Sequence, residues 1–288
     1  MKRINFAVFI LTHRRPENVK TYETLRNNGY TGPIFLVVDN LDPTIAQYKE
    51  RYGSEVVVFD KKEAAKAVDI ADNFTGLKGV VYARNKCFDL ARDLGVRYFL
   101  QLDDDYKDFA FRFDDLMRYK PSTVVVRDLD AVFAACLKFF VASGAKAFAL
   151  SQGGDFIGGR ENQNAQCVRL LRKCMNTFFF DSTRPCHFIG RSNEDVNLYV
   201  SAAARGELLC STTQLSVTQT QTQAQAGGMT ELYLDQGTYV KSFYSVMMHP
   251  SAVKVSLLRG ETNTRLHHQV KWRYTAPKIL SPDLRKRR

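Results

Sequence analysis

Three consecutive aspartates follow a strongly apolar segment in the first half of the chain. Residues 97–103 (RYFLQLD) have the composition of a buried strand, and the strand is expected to end where Asp103, Asp104 and Asp105 begin, because Asp is unfavourable in strands. Three neighbouring carboxylates repel one another, and a hard divalent cation such as Mg²⁺, bound by carboxylate and phosphate oxygens, relieves that repulsion. The pattern therefore indicates a site for a divalent metal and a diphosphate. The alternative is an acidic turn that caps a following helix.

A second pair of polar residues lies upstream, where a glycine-containing loop leads into a helix predicted over 80–94. Arg84 and Asn85 are near the start of this helix, where free backbone N–H groups favour a bound phosphate. A guanidinium can add a bidentate contact to phosphate oxygens. We therefore predict that both residues bind the diphosphate. For Arg84 the alternative is an ion pair with an exposed carboxylate.

Two further candidates follow the first two predicted strands. The segment Thr12–Pro16 (THRRP) connects the first strand to a helix that Pro16 is expected to open. Asp39 closes the second strand. Ligands of open α/β sheets bind at the carboxyl ends of the strands, so we predict that Thr12, Arg14 and Asp39 contact the base or ribose of a nucleotide.

Two acidic residues stand in front of a helix predicted over about 193–205. The sequence from Ser192 to Asp195 (SNED) has the pattern of a capping box. Alternatively, Glu194 or Asp195 is a general base for an acceptor hydroxyl, a role that accelerates reactions by roughly 10²–10⁴-fold. His249 is either a structural residue or a further metal ligand.

The elements that must position these residues alternate between strand and helix. This alternation predicts right-handed βαβ units and a mainly parallel, Rossmann-like sheet flanked by helices. The predicted strands are 4–11, 34–38, 55–59, 97–103 and 147–150, and the predicted helices run from Pro16 to about Asn28, from after Asp60 to about Ala71, over 80–94 and over 127–143. The C-terminal region is less regular, with a glycine-rich loop over 153–159, a polar tract over 218–228 (TQTQTQAQAGG) and a helix or strand around 235–248. We predict an α/β fold in one domain over residues 1–288.

Composition restricts the class of protein. The chain has 288 residues and a net charge of +11, and an excess of positive charge attracts polyanions such as nucleic acid. Its six cysteines form no CxxC or Cys/His cluster, which favours reduced thiols in a cytoplasmic protein. The apolar runs are too short to span a bilayer, so no membrane association is expected.

Together, these motifs resemble those of GT-A glycosyltransferases over about residues 4–210: Thr-His-x-Arg-Pro after the first strand, an Arg-Asn pair, Asp-x-Asp at a strand end and a later Glu-Asp-Val. The resemblance implies that Asp105 binds Mg²⁺ or Mn²⁺ on a nucleotide sugar and that Asp103 lies near the ribose or the metal. It also implies that Asp195 is the catalytic base, which favours inversion at the sugar.

Residues 216–258 are similar to the TET-associated glycosyltransferases of bacteriophages. This narrower resemblance implies 5-hydroxymethylcytosine in phage DNA as the acceptor, a UDP-sugar as the expected donor, functional coupling to a TET-type oxygenase and a location in the host cytoplasm. It also implies that residues 1–150 bind the nucleotide sugar and residues 151–288 the acceptor.

Three alternatives remain open. The first is a glycosyltransferase that acts on a polysaccharide, lipid or protein. The second is a nucleotidyltransferase, which the absence of a glycine-rich loop directly after the first strand disfavours. The third is a non-catalytic DNA-binding protein with a decayed fold, which the intact acidic motifs disfavour. The sequence leaves the sugar, the DNA context and the oligomeric state open.

Overall fold

In the computed structural model, the described residues are 4–116, 118–156, 168–174, 176–219, 240–259, 264–275 and 277–285. The strands are β1 (Ile4–Leu11), β2 (Ile34–Asp39), β3 (Val56–Phe59), β4 (Val96–Asp103), β5 (Tyr106–Phe113), β6 (Tyr119–Val125), β7 (Ala147–Gln152), β8 (Val168–Arg169), β9 (Thr177–Asp181), β10 (Leu209–Gln219), β11 (Val253–Arg259) and β12 (Thr264–Val270). The α-helices are α1 (Lys20–Asn27), α2 (Ile45–Tyr52), α3 (Lys61–Ala65), α4 (Val81–Asp93), α5 (Leu129–Ser143), α6 (Glu194–Ala204) and α7 (240–248).

Most strands belong to one ten-stranded sheet with the order β3-β2-β1-β4-β9-β7-β10-β5-β6, and β8 pairs with β10. The strands β3, β2, β1 and β4 are parallel. Beyond β4 the sheet is mixed, since β9 is antiparallel to both β4 and β7, and β10 is parallel to β7 but antiparallel to β5. The predicted α/β class, with a Rossmann-like sheet flanked by helices, is confirmed.

Apolar side chains fill both faces of this sheet. In β9, Phe178 and Phe180 belong to the core cluster beneath α4, whereas Phe179 belongs to the cluster on the opposite face. This split follows from the two-residue period of a strand. Because both faces are covered, the central strands are almost continuously apolar, as in Phe6–Leu11. The packed sheet therefore supports the residues at its edge.

Two predicted helices are shorter in the structure. Helix α1 begins at Lys20 and not at the predicted Pro16. Pro16 lies instead in a separate turn, in which the N–H of Asn18 donates to the backbone oxygen of Arg15 over 3.0 Å. Helix α3 ends at Ala65 instead of about Ala71. Helix α2 and the later antiparallel strands were not predicted.

The C-terminal segment adds helix α7 and an antiparallel hairpin of β11 and β12. Part of the region predicted as helix or strand around 235–248 is therefore helical. Gly158, Gly159 and residues 220–239, which include most of the predicted polar tract, lie outside the described residues. Within the described ranges, no helix has the length and apolar character needed to cross a membrane.

Candidate active site

Three parallel strands bring predicted donor-binding residues to one edge of the sheet. Strand β1 lies between β2 and β4, with Leu11 opposite both Val37 and Asp103. Thr12 follows β1, while Asp39 and Asp103 are the last residues of β2 and β4. The turn after Asp103 leads into strand β5, so the alternative of a helix cap is wrong.

Asp104 is only 5% exposed and connects the turn after β4 to the loop after β1. Its Oδ2 accepts a hydrogen bond from Thr12 Oγ1 over 2.7 Å, and its Oδ1 accepts one from Arg15 over 3.0 Å. Burial raises the pKa of Asp104 to about 6, although Arg15 and Thr12 oppose the shift. The donor contacts predicted for Thr12 and Asp104 stay predictions. Arg15 was not singled out, although it lies within the THRRP motif.

Asp39 lies at the end of β2 beside two basic side chains. Its Oδ2 lies 3.0 Å from both His13 Nδ1 and Lys61 Nζ. Burial opposes ionisation, but His13 and Lys61 lower the pKa of Asp39 to about 2. Nearby, the backbone N–H of Arg14 donates to Asp42 Oδ2 over 2.6 Å, and the Arg14 residue is exposed. The nucleotide contacts predicted for Asp39 and Arg14 stay predictions.

The carboxyl groups of Asp103 and Asp105 are suited to a divalent cation. Burial raises the pKa of Asp103, and the Arg84 guanidinium opposes the shift. Burial also raises the pKa of Asp105, to about 7, and the charges of Asp103 and Asp104 add to it. A divalent cation would relieve this repulsion. The described residues contain no group of three or more His, Cys, Asp or Glu arranged for a metal, so remaining ligands would come from a bound diphosphate and water.

Arg84 connects Asp103, one of the two aspartates predicted to bind metal, to helix α6. This arginine is 1% exposed. Its Nε donates to Glu194 Oε1 over 2.8 Å, and one terminal nitrogen donates to Asp103 Oδ1 over 3.0 Å. The terminal nitrogens also donate to Gln101 and Asn176. Arg84 therefore joins Glu194 to Asp103 at the end of β4, and its predicted diphosphate contact stays a prediction.

Asp195 differs from its neighbour Glu194 in its contacts. Asp195 lies in the first turn of α6, is 8% exposed, and accepts a hydrogen bond at Oδ1 from the N–H of Val196 over 2.8 Å. Burial raises the pKa of both carboxyl groups, against the effect of Arg84. A raised pKa suits a general base near neutral pH. Glu194 is paired with Arg84, whereas Asp195 is not. The assignment of Asp195 or Glu194 as the catalytic base stays a prediction.

The start of α6 is not a capping box. Asn193, with a left-handed φ of 55°, is the cap residue, and no side chain caps the helix. Ser192 Oγ has no hydrogen-bond partner among the described residues. Asn193 Nδ2 instead donates to the backbone oxygen of Lys241 over 2.6 Å and lies 3.3 Å from His268 Nδ1. This feature of the site was not predicted, although Asn is among the residues that tolerate a left-handed backbone.

Two side chains hold the segment that leads into α6. Asn85 donates to the backbone oxygen of Phe188 over 2.9 Å and accepts from its N–H over 2.8 Å. Arg191, 1% exposed, forms two hydrogen bonds with Asp72, at 2.8 and 3.0 Å. Arg191 was not identified from the sequence, because its partner is 119 residues away. The predicted phosphate contact of Asn85 stays a prediction.

His249 lies in a different cavity from the aspartates. It lines a cavity of about 500 Å³ together with Val200, Ala204, Lys271 and Tyr274, among others, and none of the three aspartates lines that cavity. Burial lowers the pKa of His249. The structure therefore does not bring His249 together with Asp103 and Asp105, and its assignment as a metal ligand stays a prediction.

The fold is shared with solved glycosyltransferases. Staphylococcus aureus TarS 1-349, solved with UDP-GlcNAc, superimposes with a TM-score of 0.50 at 12% identity, covering 86% of this chain and 67% of that one. Glucosyl-3-phosphoglycerate synthase from Mycobacterium tuberculosis, solved with Mg²⁺ and UDP, has a TM-score of 0.47 at 10% identity. The match covers 93% of this chain and 88% of that one. The mannosyltransferase PcManGT from Pyrobaculum calidifontis, solved with GDP-Man and Mn²⁺, has a TM-score of 0.46 at 12% identity. The match covers 80% of this chain and 60% of that one. This chain spans about two thirds of the TarS chain, and at such low identity the likeness to TarS shows the GT-A fold alone.

The sequence comparison is more specific than the structural one. Among curated proteins, none matches this sequence. The family model described as TET-Associated Glycosyltransferase matches residues 6–228. That range contains the sheet edge with its three aspartates, Arg84 and the start of α6. The chain therefore belongs to the TET-associated glycosyltransferase family.

Proposed function

We propose that this glycosyltransferase transfers a sugar from a UDP-sugar to the hydroxyl of 5-hydroxymethylcytosine in bacteriophage DNA. The observation that carries the proposal is the hydrogen-bonded connection from Asp103, at the end of β4, through buried Arg84 to Glu194, beside Asp195. It links a candidate metal site to a candidate base. In a metal-dependent glycosyltransferase, the metal binds the donor and the base takes a proton from the acceptor.

Residues 1–150 would bind the donor. Asp103 and Asp105 would hold Mg²⁺ or Mn²⁺ together with the diphosphate, and the ion would supply charge neutralisation for the departing diphosphate. Thr12, Arg14 and Asp39 lie at or next to the same edge of the sheet, which supports their assignment to the nucleotide. UDP is the proposed nucleotide from the family resemblance, and TarS, which has the same fold, was solved with UDP-GlcNAc.

Asp195 would act on the acceptor, for which residues 151–288 would form the binding site. Its carboxylate would take the proton of the hydroxymethyl group while the hydroxyl oxygen bonds to the anomeric carbon of the sugar. The bond from that carbon to the diphosphate oxygen breaks, and the nucleoside diphosphate leaves. Attack opposite the leaving group inverts the anomeric centre. Buried Glu194 would keep Asp195 in place through its ion pair with Arg84.

The acceptor is proposed from the family. Hydroxymethylcytosine arises when a TET-type oxygenase oxidises 5-methylcytosine, so such an oxygenase would supply this substrate in the host cytoplasm. The net charge of +11 agrees with a DNA acceptor. Enzymes that act on a base within a duplex often flip it out of the stack, at a cost of about a few kcal/mol.

An acceptor assay tests the proposal. The protein is incubated with Mn²⁺ or Mg²⁺, a set of nucleotide sugars, and duplexes that contain cytosine, 5-methylcytosine or 5-hydroxymethylcytosine. The DNA is then digested and the nucleosides are weighed by mass spectrometry. We expect the mass of one sugar to be added to hydroxymethylcytosine alone. The Asp105→Ala variant should lose this product, while a matched control, Asp115→Ala at an exposed position, should keep it.

Other results would change the assignment. Sugar transfer to a polysaccharide, lipid or protein, with none to DNA, would retain the glycosyltransferase and reject the DNA acceptor. DNA binding without hydrolysis or transfer of any nucleotide sugar would favour a non-catalytic DNA-binding protein. Equal activity of Asp105→Ala and the control would reject the metal assignment.

A further inference from the structure

Nearly all the excess positive charge of the protein lies in its last part. Residues 240–288 contain 11 Lys and Arg but only 2 Asp and Glu, a net charge of +9, whereas residues 1–239 contain 30 and 28, a net charge of +2. We call residues 240–288 the basic segment. This segment lies outside residues 6–228, which the family model matches. Its charge therefore needs an explanation apart from the shared catalytic domain.

The hairpin of the basic segment has one face for the protein and one for solvent. Paired residues of antiparallel strands point to the same face. Val253 and Val270 are paired and pack against the core. On the other face, Lys254 is paired with Gln269, and both are exposed. Ser256 and His267, the next pair on this face, continue the polar surface.

Basic and aromatic residues alternate directly after the hairpin, in the sequence Lys271-Trp272-Arg273-Tyr274. Trp272 stacks on Tyr199 of helix α6 with ring centroids 5.4 Å apart, which anchors the turn. The Arg273 guanidinium lies 4.6 Å from the centroid of the Tyr274 ring, and Tyr274 is 48% exposed. Cationic grooves with aromatic side chains bind nucleic acids through phosphates and stacked bases.

The basic segment also contacts the start of helix α6. Asn193, the cap of α6, donates to the backbone oxygen of Lys241 over 2.6 Å and lies 3.3 Å from His268 Nδ1. Lys241 belongs to α7 and His268 to β12. The proposed base, Asp195, is two residues after Asn193. Lys271 and Tyr274 line a cavity with Val200 and Ala204, near the other end of α6. The basic segment therefore follows α6 from its start, beside the proposed base, to its end.

We propose that the exposed face of the hairpin, with Lys254, and the turn with Lys271, Arg273 and Tyr274 bind the phosphate backbone of the acceptor DNA. This inference rests on the proposed function, because it assigns a position to that acceptor. Phosphate contacts orient a nucleic acid without reading its sequence. The basic segment thus holds the strand, while the site at the sheet edge performs the chemistry.

The test compares two triple variants with the same change of charge. The first, which we call the hairpin variant, is Lys254→Glu/Lys271→Glu/Arg273→Glu. The control is Lys49→Glu/Lys62→Glu/Lys138→Glu, whose three lysines are exposed on α2, α3 and α5. Binding of a fluorescent hydroxymethylated duplex is measured by anisotropy between 50 and 200 mM salt. Circular dichroism and thermal unfolding confirm that both variants fold, and the acceptor assay on the wild-type protein tests the proposed function separately.

We expect the hairpin variant to bind roughly tenfold more weakly or worse, with a salt slope smaller by about 2 to 3, because each phosphate contact contributes about 0.9 to that slope. The control variant should bind more tightly than the hairpin variant. Equal binding by the two variants would overturn this inference, even if the wild-type protein transfers sugar to DNA. Preferential binding of phosphatidylserine vesicles over DNA would also overturn it. If the segment binds DNA but no sugar transfer occurs, this surface stands and the proposed function fails.

Discussion

Arg84 and Glu194 form a buried ion pair, in which Arg84 Nε donates to Glu194 Oε1 over 2.8 Å. The two residues are 110 positions apart in the chain, and they are 1% and 6% exposed. The same guanidinium donates to Asp103. The pair therefore fixes α6 relative to the end of β4, and so fixes the proposed base relative to the proposed metal site.

The Arg84→Met variant should be much less stable than the wild type. Removing one partner of a buried ion pair leaves an uncompensated charge, which typically costs about 3–5 kcal/mol. We expect a loss of this size in the free energy of unfolding, measured by urea denaturation. The double variant Arg84→Met/Glu194→Gln should recover part of the loss. No recovery in the double variant would mean that the two side chains are not energetically coupled.

Neutralising Asp195 should reduce the rate of transfer without weakening donor binding. An amide in Asp195→Asn can still accept the hydrogen bond from the N–H of Val196 but cannot take a proton. We expect kcat to fall by roughly 10²–10⁴-fold, with the KM for the donor unchanged. The control is Asp128→Asn, at the cap of α5, which should keep full activity.

The Glu194→Gln variant distinguishes the two neighbouring carboxylates. Because Glu194 binds Arg84, this variant should lose stability and retain more activity than Asp195→Asn at a temperature where it is folded. Stability is measured by thermal unfolding and activity by mass gain of the acceptor. The reverse order of activities would assign the catalytic base to Glu194.

The sheet edge could be predicted because its residues follow locally recognisable strands. The apolar run before Asp103 and the run before Asp39 each determine a strand end, and parallel strands bring their carboxyl ends together. Helices α4, α5 and α6 were also predicted within one or two residues. Helices α4 and α5 have an amphipathic pattern, whereas α6, which is buried almost all round, was recognised from the acidic pair at its start. Strand ends and helix bounds of this kind depend on residues that are close together in the sequence.

The partners of the buried polar residues could not be predicted in this way. Arg84 and Asn85 lie on the same helix turn, and the sequence predicts both as phosphate ligands. The structure pairs Arg84 with Glu194 and Asn85 with the backbone of Phe188. Asn193 replaces a predicted capping box with a left-handed cap. These contacts depend on how distant elements pack, which no local pattern of polar residues encodes.

Addition of Mn²⁺ should stabilise the wild-type protein. A ligand at 100 times its Kd that binds only the folded state adds about 2.7 kcal/mol, which corresponds to a rise of several degrees in Tm. We expect this rise in the wild type and in the control Asp115→Asn, measured by scanning calorimetry. The Asp105→Asn variant should show little or none. A full shift in Asp105→Asn would remove this carboxylate from the metal site.

His268 should make the protein sensitive to acid. Burial lowers the pKa of His268 to about 3, and His267, Lys241 and Lys173 oppose its charging further. The ordinary pKa of His is about 6.5, so the folded state favours the neutral ring. The stability that His268 contributes is therefore present above about pH 6.5 and is lost as pH falls towards 3.

Replacing His268 by Asn should reduce this loss. We expect the free energy of unfolding of His268→Asn to decrease less than that of the wild type between pH 7 and 4, by an amount on the order of 1 kcal/mol or more. Urea denaturation at each pH measures the difference. A substitution of exposed His187 by Asn controls for histidine removal in general and should follow the wild type. Parallel pH profiles for the wild type and His268→Asn would show that His268 is protonated as readily in the folded as in the unfolded chain.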